Sequence, residues 1–188
     1  PTVTGVQTCA LPILIKPVKN EKNTVTWENN SGSIARMTFT ADSDATYYCP
    51  QLSTKWDREL DQFFPNADAY LFDFVDNPYI PAVTRATLEI YNPFVDDDGD
   101  LTVRRSDLYV YSIDENGKLQ DVTSSFAIGE NQDGDEVLST RTWKLGTYIV
   151  SDTKAKIKET SKPENPEKPG TSENPSKPSV KPNPGTGR

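Results

Sequence analysis

A chain of 188 residues with 34% hydrophobic residues and no histidine has room for one domain of ordinary size and a tail. The missing histidine removes Ser-His-Asp and Cys-His nucleophilic machinery and every histidine-ligated zinc site. The net charge of −8 is unevenly spread: 12 basic against 24 acidic residues up to Thr153 make a body of −12, and eight against four from Lys154 onward make a tail of +4. So acidic a body repels phosphate backbones, which argues against a nucleic-acid partner.

The run Val3-Thr4-Gly5-Val6-Gln7-Thr8-Cys9-Ala10-Leu11-Pro12-Ile13 resembles, residue for residue, the in-frame translation of a common short-read sequencing adapter. Residues 1–15 are therefore set aside from the fold, and a truncated reading frame that has lost its signal peptide is expected. Of the two cysteines, Cys9 falls in this segment. Cys49 is left without an internal disulfide partner, and a small buried hydrophobe is the expectation for it.

The domain is expected over residues 16–153. Residues 24–27 form a β-branched and aromatic run closed by the turn cluster Asn29-Asn30-Ser31-Gly32. Residues 34–41 alternate, with Met37 and Phe39 on one face and Thr38 and Thr40 on the other, a half-buried strand. Residues 53–64 break that pattern. Trp56, Leu60, Phe63 and Phe64 fall on one side of a helix near 54–64, with Ser53 or Thr54 as its cap and Pro65 as its stop.

Strand signals then resume. Residues 69–75 carry Tyr70, Phe72 and Phe74 in alternation, and residues 84–91 place Ala86, Leu88 and Ile90 opposite Arg85, Thr87, Glu89 and Tyr91. Leu101-Thr102-Val103 also reads as a strand. Residues 107–113 and 118–122 flank Asp114-Glu115-Asn116-Gly117, a tight hairpin turn. Residues 126–128, 136–142 and 147–151 complete the series, with turns at Asp133-Gly134 and Gly146. About eight short strands joined by Gly, Pro and Asp-rich turns predict a mainly β fold, an antiparallel β-sandwich of Ig-like architecture with one short helix and a disordered C-terminal tail.

Leu-Tyr-Val-Tyr at 108–111, Glu-Asn-Gly-Lys-Leu at 115–119 and Leu-Gly-Thr-Tyr-Ile-Val at 145–150 resemble the C-terminal β-rich modules of secreted and surface proteins from gut clostridia. Leu52-Ser53-Thr54-Lys55-Trp56 and Thr84-Arg85-Ala86-Thr87-Leu88 are similar to the same group. The resemblance implies an extracellular module and assigns it no activity.

Two clusters suggest a ligand. Asp96, Asp98 and Asp100, with Asp107 further on, stand at positions 1, 3, 5 and 12 of a calcium loop, because hard oxygens at alternating positions can wrap one ion. Position 6 is Leu101 where such a loop needs glycine, and a solvated acidic turn is the competing reading. Trp56, Tyr79 and Tyr91 are candidates for an aromatic platform under a sugar ring. Trp56 belongs to the expected helix core, which leaves Tyr79, in a loop between Pro78 and Pro81, as the candidate ligand-binding residue. No spacing singles out a glycosidase pair among the carboxylates, and no enzyme is expected.

From Lys154 the chain is Pro-rich, with seven prolines from Pro163 to Pro184. At about 3.1 Å per residue, thirty such residues would reach on the order of 90 Å. The stretch closes on Asn183, Pro184, Gly185, Thr186 and Gly187, which resembles the L-P-x-T-G signal of sortase substrates with Asn in place of Leu. The resemblance implies cleavage between Thr186 and Gly187, sortase as a partner and attachment to the cell envelope. These features together lead to the expectation of a non-catalytic extracellular module, a stalk or an adhesin for a glycan or protein ligand, held at the cell surface by residues 154–188. The alternative is an accessory domain of a larger secreted carbohydrate-active enzyme whose catalytic part lies upstream.

Overall fold

The computed structural model describes residues 15–44, 47–76 and 78–157. The adapter-like segment 3–13, most of the Pro-rich tail and the sorting-like residues Asn183, Pro184, Gly185, Thr186 and Gly187 lie outside the described residues.

Ten strands form among the described residues: β1 (Lys22–Asn29), β2 (Gly32–Thr40), β3 (Leu52–Ser53), β4 (Ala69–Phe74), β5 (Ala86–Tyr91), β6 (Tyr109–Ile113), β7 (Leu119–Asp121), β8 (Ala127–Glu130), β9 (Glu136–Thr142) and β10 (Thr147–Ser151). They pair into two five-stranded antiparallel sheets, β1-β2-β5-β9-β8 and β3-β4-β10-β6-β7. The mainly β, two-sheet sandwich read from the alternation is the fold observed.

Alternation decides which side chains meet between the sheets. Val25, Trp27, Ala35, Met37 and Phe39 of the first sheet share one cluster with Phe72, Phe74, Val110 and Val150 of the second. Trp27 is wholly buried and stands edge-on to Phe74, ring centroids 5.0 Å apart, so one aromatic pair spans the two sheets. Its indole N–H is not wasted on the core: it donates to the Pro50 carbonyl at 2.9 Å.

The second sheet is buried on both faces. Leu71, Tyr111 and Ile149 sit next in sequence to core residues, hence on the opposite face, and they form a second cluster with Leu119, Leu60 and Phe64. Neighbours in sequence are therefore buried together at Leu71 and Phe72, Val110 and Tyr111, and Ile149 and Val150. The cover on this face is segment 54–68, joined by the residues after β10: Ala155 N–H donates to the Tyr111 hydroxyl at 2.8 Å and Lys156 N–H to the Phe63 carbonyl at 2.9 Å.

The helix expected near 54–64 is shorter and tighter than its periodicity suggests. It is a 3-10 helix over Arg58–Gln62, capped by Asp57, whose side chain accepts from Glu59 N–H, and not by Ser53 or Thr54. Ser53 is taken by β3, and Pro65 leaves too few residues to repay α-helix nucleation. The apolar side persists: Leu60 and Phe64 are buried, with Trp56 and Phe63 packed on them.

Two other expectations change, at residues 101–103 and at Cys49, and one strand is unanticipated. Leu101-Thr102-Val103 makes no strand, only a single bridge from Leu101 to Val95. β3 is two residues long, below what periodicity can register. Cys49 is exposed, not a buried hydrophobe. Its neighbours are the anchored ones, Tyr48 bridging to Ile15 and Pro50 buried under Trp27, so the alternating chain turns Cys49 outward.

Strand register also sorts the loops. Thr40, Ala86 and Thr142 end the first sheet on the side where Phe74, Ile113 and Thr147 end the second. The described parts of the β2–β3 and β4–β5 linkers, the 114–118 turn and the 143–146 connection therefore share one end of the sandwich. β10 finishes at the other end, where Ser151 pairs with Ala69 and Tyr109.

Candidate functional site

The end bearing those four connections is where apolar side chains reach solvent. Of the nine exposed large hydrophobics among the described residues, Val18, Tyr47, Val75, Tyr79, Val83 and Trp143 belong to it, with Tyr79 at 74% exposure and Trp143 at 45%. Singly exposed apolar residues are ordinary, but their concentration at one end of a domain is informative. The segments that carry them are held by backbone bonds. Ile80 N–H donates to the Trp143 carbonyl at 2.9 Å, Leu145 N–H to the Pro78 carbonyl at 3.0 Å and Val83 N–H to the Thr40 carbonyl at 2.9 Å. Buried Ile80, Ala82 and Leu145 supply the anchors that let their neighbours face outward.

Tyr79 bridges to Lys144, and the Lys144 ammonium lies 5.4 Å from the Tyr79 ring centroid, a cation–π distance. The same ammonium donates to Glu115 Oε1 at 2.9 Å, and this bond raises its pKa above the usual lysine range. Beside it lies a shallow groove of about 390 Å³ lined by Asp114, Glu115, Asn116, Lys144 and Leu145 among others. An aromatic face next to carboxylate, amide and ammonium groups can stack on an apolar sugar face or a peptide side chain and hydrogen-bond its polar edge.

The hairpin that presents Glu115 is fastened by Asp114. Its Oδ1 accepts from the N–H groups of Asn116 and Lys118, each at 2.9 Å, its Oδ2 accepts from Gln120, and Gly117 completes the turn at φ 75°. The bond from Lys118 N–H is the main cause holding the Asp114 carboxyl below its ordinary pKa. A carboxyl depressed in the folded state contributes stability above its unfolded pKa, and that contribution disappears as pH falls through the folded value. The stability gap between the parent and Asp114→Ala is therefore expected to be complete at neutral pH and to close only below the usual carboxylate range. Urea denaturation of both proteins at stepped acid pH checks this, and a gap independent of pH would refute it.

The other residues singled out in the sequence are placed elsewhere. Trp56 donates its indole N–H to Asp61 Oδ1 at 2.7 Å and packs edge-on to Phe64, so it covers the second sheet. Tyr91 ends β5 half-buried, away from Tyr79. Asp96, Asp98 and Asp100 are not assembled as ligands: Asp96 Oδ1 accepts from Asp98 N–H at 3.0 Å and Asp100 N–H at 2.9 Å, while Asp107 pairs with Arg104. Among the described residues no group of three or more His, Cys, Asp or Glu side chains is arranged to hold a metal ion.

Trp143 is the member of the rim that sequence reasoning missed. The sequence signal for it is weak: its immediate neighbours Thr142 and Lys144 are polar, yet Leu145 two residues on is a core residue, so alternation alone would have turned Trp143 inward. The chain matches no protein-family model and no curated protein.

Proposed function

We propose that the chain is a non-catalytic binding module of an extracellular surface protein that presents the rim around Tyr79 and Trp143 to a glycan or protein ligand. The observation that carries the reading is polarity of the fold: among the described residues three of the four exposed aromatics, Tyr47, Tyr79 and Trp143, gather at one end of the sandwich, with Tyr70 the exception, and the last strand ends at the other. An evenly polar surface would suit a passive stalk, and this surface is not even. Binding of the full chain to a panel of envelope and plant oligosaccharides, with Tyr79→Ala and Trp143→Ala as controls, tests it. The reading as a stalk takes over if no member of the panel binds.

Attachment to the cell envelope through Asn183, Pro184, Gly185, Thr186 and Gly187, with sortase as the partner that cuts after Thr186, is part of the proposal and is supported by the sequence resemblance and the Pro-rich stretch before it. The reading frame beyond Arg188 is then expected to hold about twenty apolar residues closed by Lys or Arg, long enough to stay in the membrane during the transfer. Genomic sequence read past Arg188 checks this. A polar continuation removes the anchor and leaves the binding module untouched.

A further inference from the structure

We propose that the ligand of this module is an anionic glycan, whose carboxylate or sulfate is held between Arg85 and Arg141. The inference rests on the binding-module reading and gives its ligand a chemical class. Three of the described arginines are committed to carboxylates: Arg36 to Glu89 and Asp133, Arg104 to Asp107, and Arg105 to Glu130 and Glu136. The other three, Arg58, Arg85 and Arg141, have no carboxylate partner among the described residues, although acidic residues outnumber basic ones two to one up to Thr153; Arg58 lies apart, on the 3-10 helix over the second sheet. Arg85 and Arg141 line the same groove of about 500 Å³ on the outer face of the first sheet, with Thr87, Ser125 and Ser139.

Register explains their convergence. Arg141 pairs with Thr87 across β9 and β5, and its Nη2 donates to the Arg85 carbonyl at 3.0 Å, which sets its guanidinium beside the Arg85 backbone. Most of the N–H groups of the two guanidiniums remain open to an oxyanion, which they suit by their planar, forked geometry. The nearest carboxylate along the outer face of β5, Glu89, is already bound by Arg36 Nε at 2.6 Å, so it does not cancel the pair.

The remaining lining suits a sugar better than a bare ion. Ser139 Oγ, on the same face as Arg141, donates to the Ala127 carbonyl, which uses the hydroxyl proton and leaves its oxygen to accept from a ligand hydroxyl. Trp143 follows directly on the end of β9, the strand that carries Arg141, and is exposed. Aromatic surface, a hydroxyl acceptor and paired guanidiniums thus follow one another from the rim onto the sheet. A long polyanion is disfavoured by the charge of the body, whereas single acidic groups spaced along a sugar chain need only this local pair.

The test is a titration of the full chain with an oligogalacturonate, its methyl ester and a sulfated oligosaccharide. Charge-assisted bonds to a guanidinium pair are expected to make at least one charged probe bind about ten- to hundredfold more tightly than the ester. The double variant Arg85→Gln, Arg141→Gln should bring charged and neutral probes to the same affinity with an unchanged melting temperature, and Trp143→Ala should weaken both. Equal binding of ester and acid by the parent, or an unaltered preference in the double variant, overturns the anionic ligand while the binding module stands. No binding by any probe, together with a blank neutral panel, overturns both.

Discussion

Replacing Trp27 by alanine is expected to cost about 3–5 kcal/mol of folding free energy, the range for deleting a large buried aromatic. Trp27 is wholly buried, it touches Phe74 across the interface between the sheets, and it is the donor for the Pro50 carbonyl. Its removal leaves a cavity where the sheets meet and a buried acceptor without its partner. Domains of this size are stable by about 5–15 kcal/mol, so the variant keeps only a fraction of its margin. Trp27→Phe separates the two losses, because it retains a ring against Phe74 and forfeits the hydrogen bond, and about 1–3 kcal/mol is expected for it. Urea denaturation measures both. A loss below about 1 kcal/mol for the alanine variant would mean that Trp27 is not the hinge of the core.

The second large effect is on binding and leaves stability alone. Tyr79→Ala and Trp143→Ala alter side chains that are 74% and 45% exposed, so each is expected to shift unfolding by no more than about 0.5 kcal/mol. Aromatic anchors at a binding surface are worth about 2 kcal/mol each, which is roughly thirtyfold in affinity. The double variant should therefore bind beyond the range of an ordinary titration while its thermal melt overlays that of the parent. Parental affinity in the double variant would remove the rim from the mechanism. Trp56→Ala is the matched control, since Trp56 sits against Phe64 on the covered face of the second sheet and its loss should lower stability without touching affinity.

Much of this molecule is visible in one-dimensional pattern because half-buried strands alternate. Met37 and Phe39, then Ala86, Leu88 and Ile90, mark their strands unaided, and all five are buried. The 114–117 turn is equally plain, since Asp, Asn and Gly are the residues that its geometry requires. Alternation becomes silent where both faces are covered. Leu71 beside Phe72 and Tyr111 beside Val110 look like irregularities until segment 54–68 is seen lying over the second sheet. The 3-10 helix was overread for a related reason: Trp56, Leu60 and Phe64 have helical spacing, yet packing needs only a single tight turn to bring Leu60 and Phe64 onto Tyr111.

Of the candidate site, Tyr79 was legible as an aromatic isolated among prolines, and Trp143 was not, because Leu145 two residues on is a core residue and alternation alone would have turned Trp143 inward. Their shared location was not legible either, because Tyr79 and Lys144 are 65 residues apart in the sequence and meet only through an isolated bridge. Nor does sequence say which arginines are free. Arg36 and Arg141 look alike on paper, and only the fold sets Glu89 and Asp133 against the first and leaves the second with Arg85. The amino-acid sequence by itself determined the β class, the faces of the half-buried strands and the key hairpin, since these follow from local periodicity and turn chemistry. Tertiary structure alone decided which charges cancel, which aromatics are left in solvent and which loops share an end, since each depends on strand register between residues far apart in the chain.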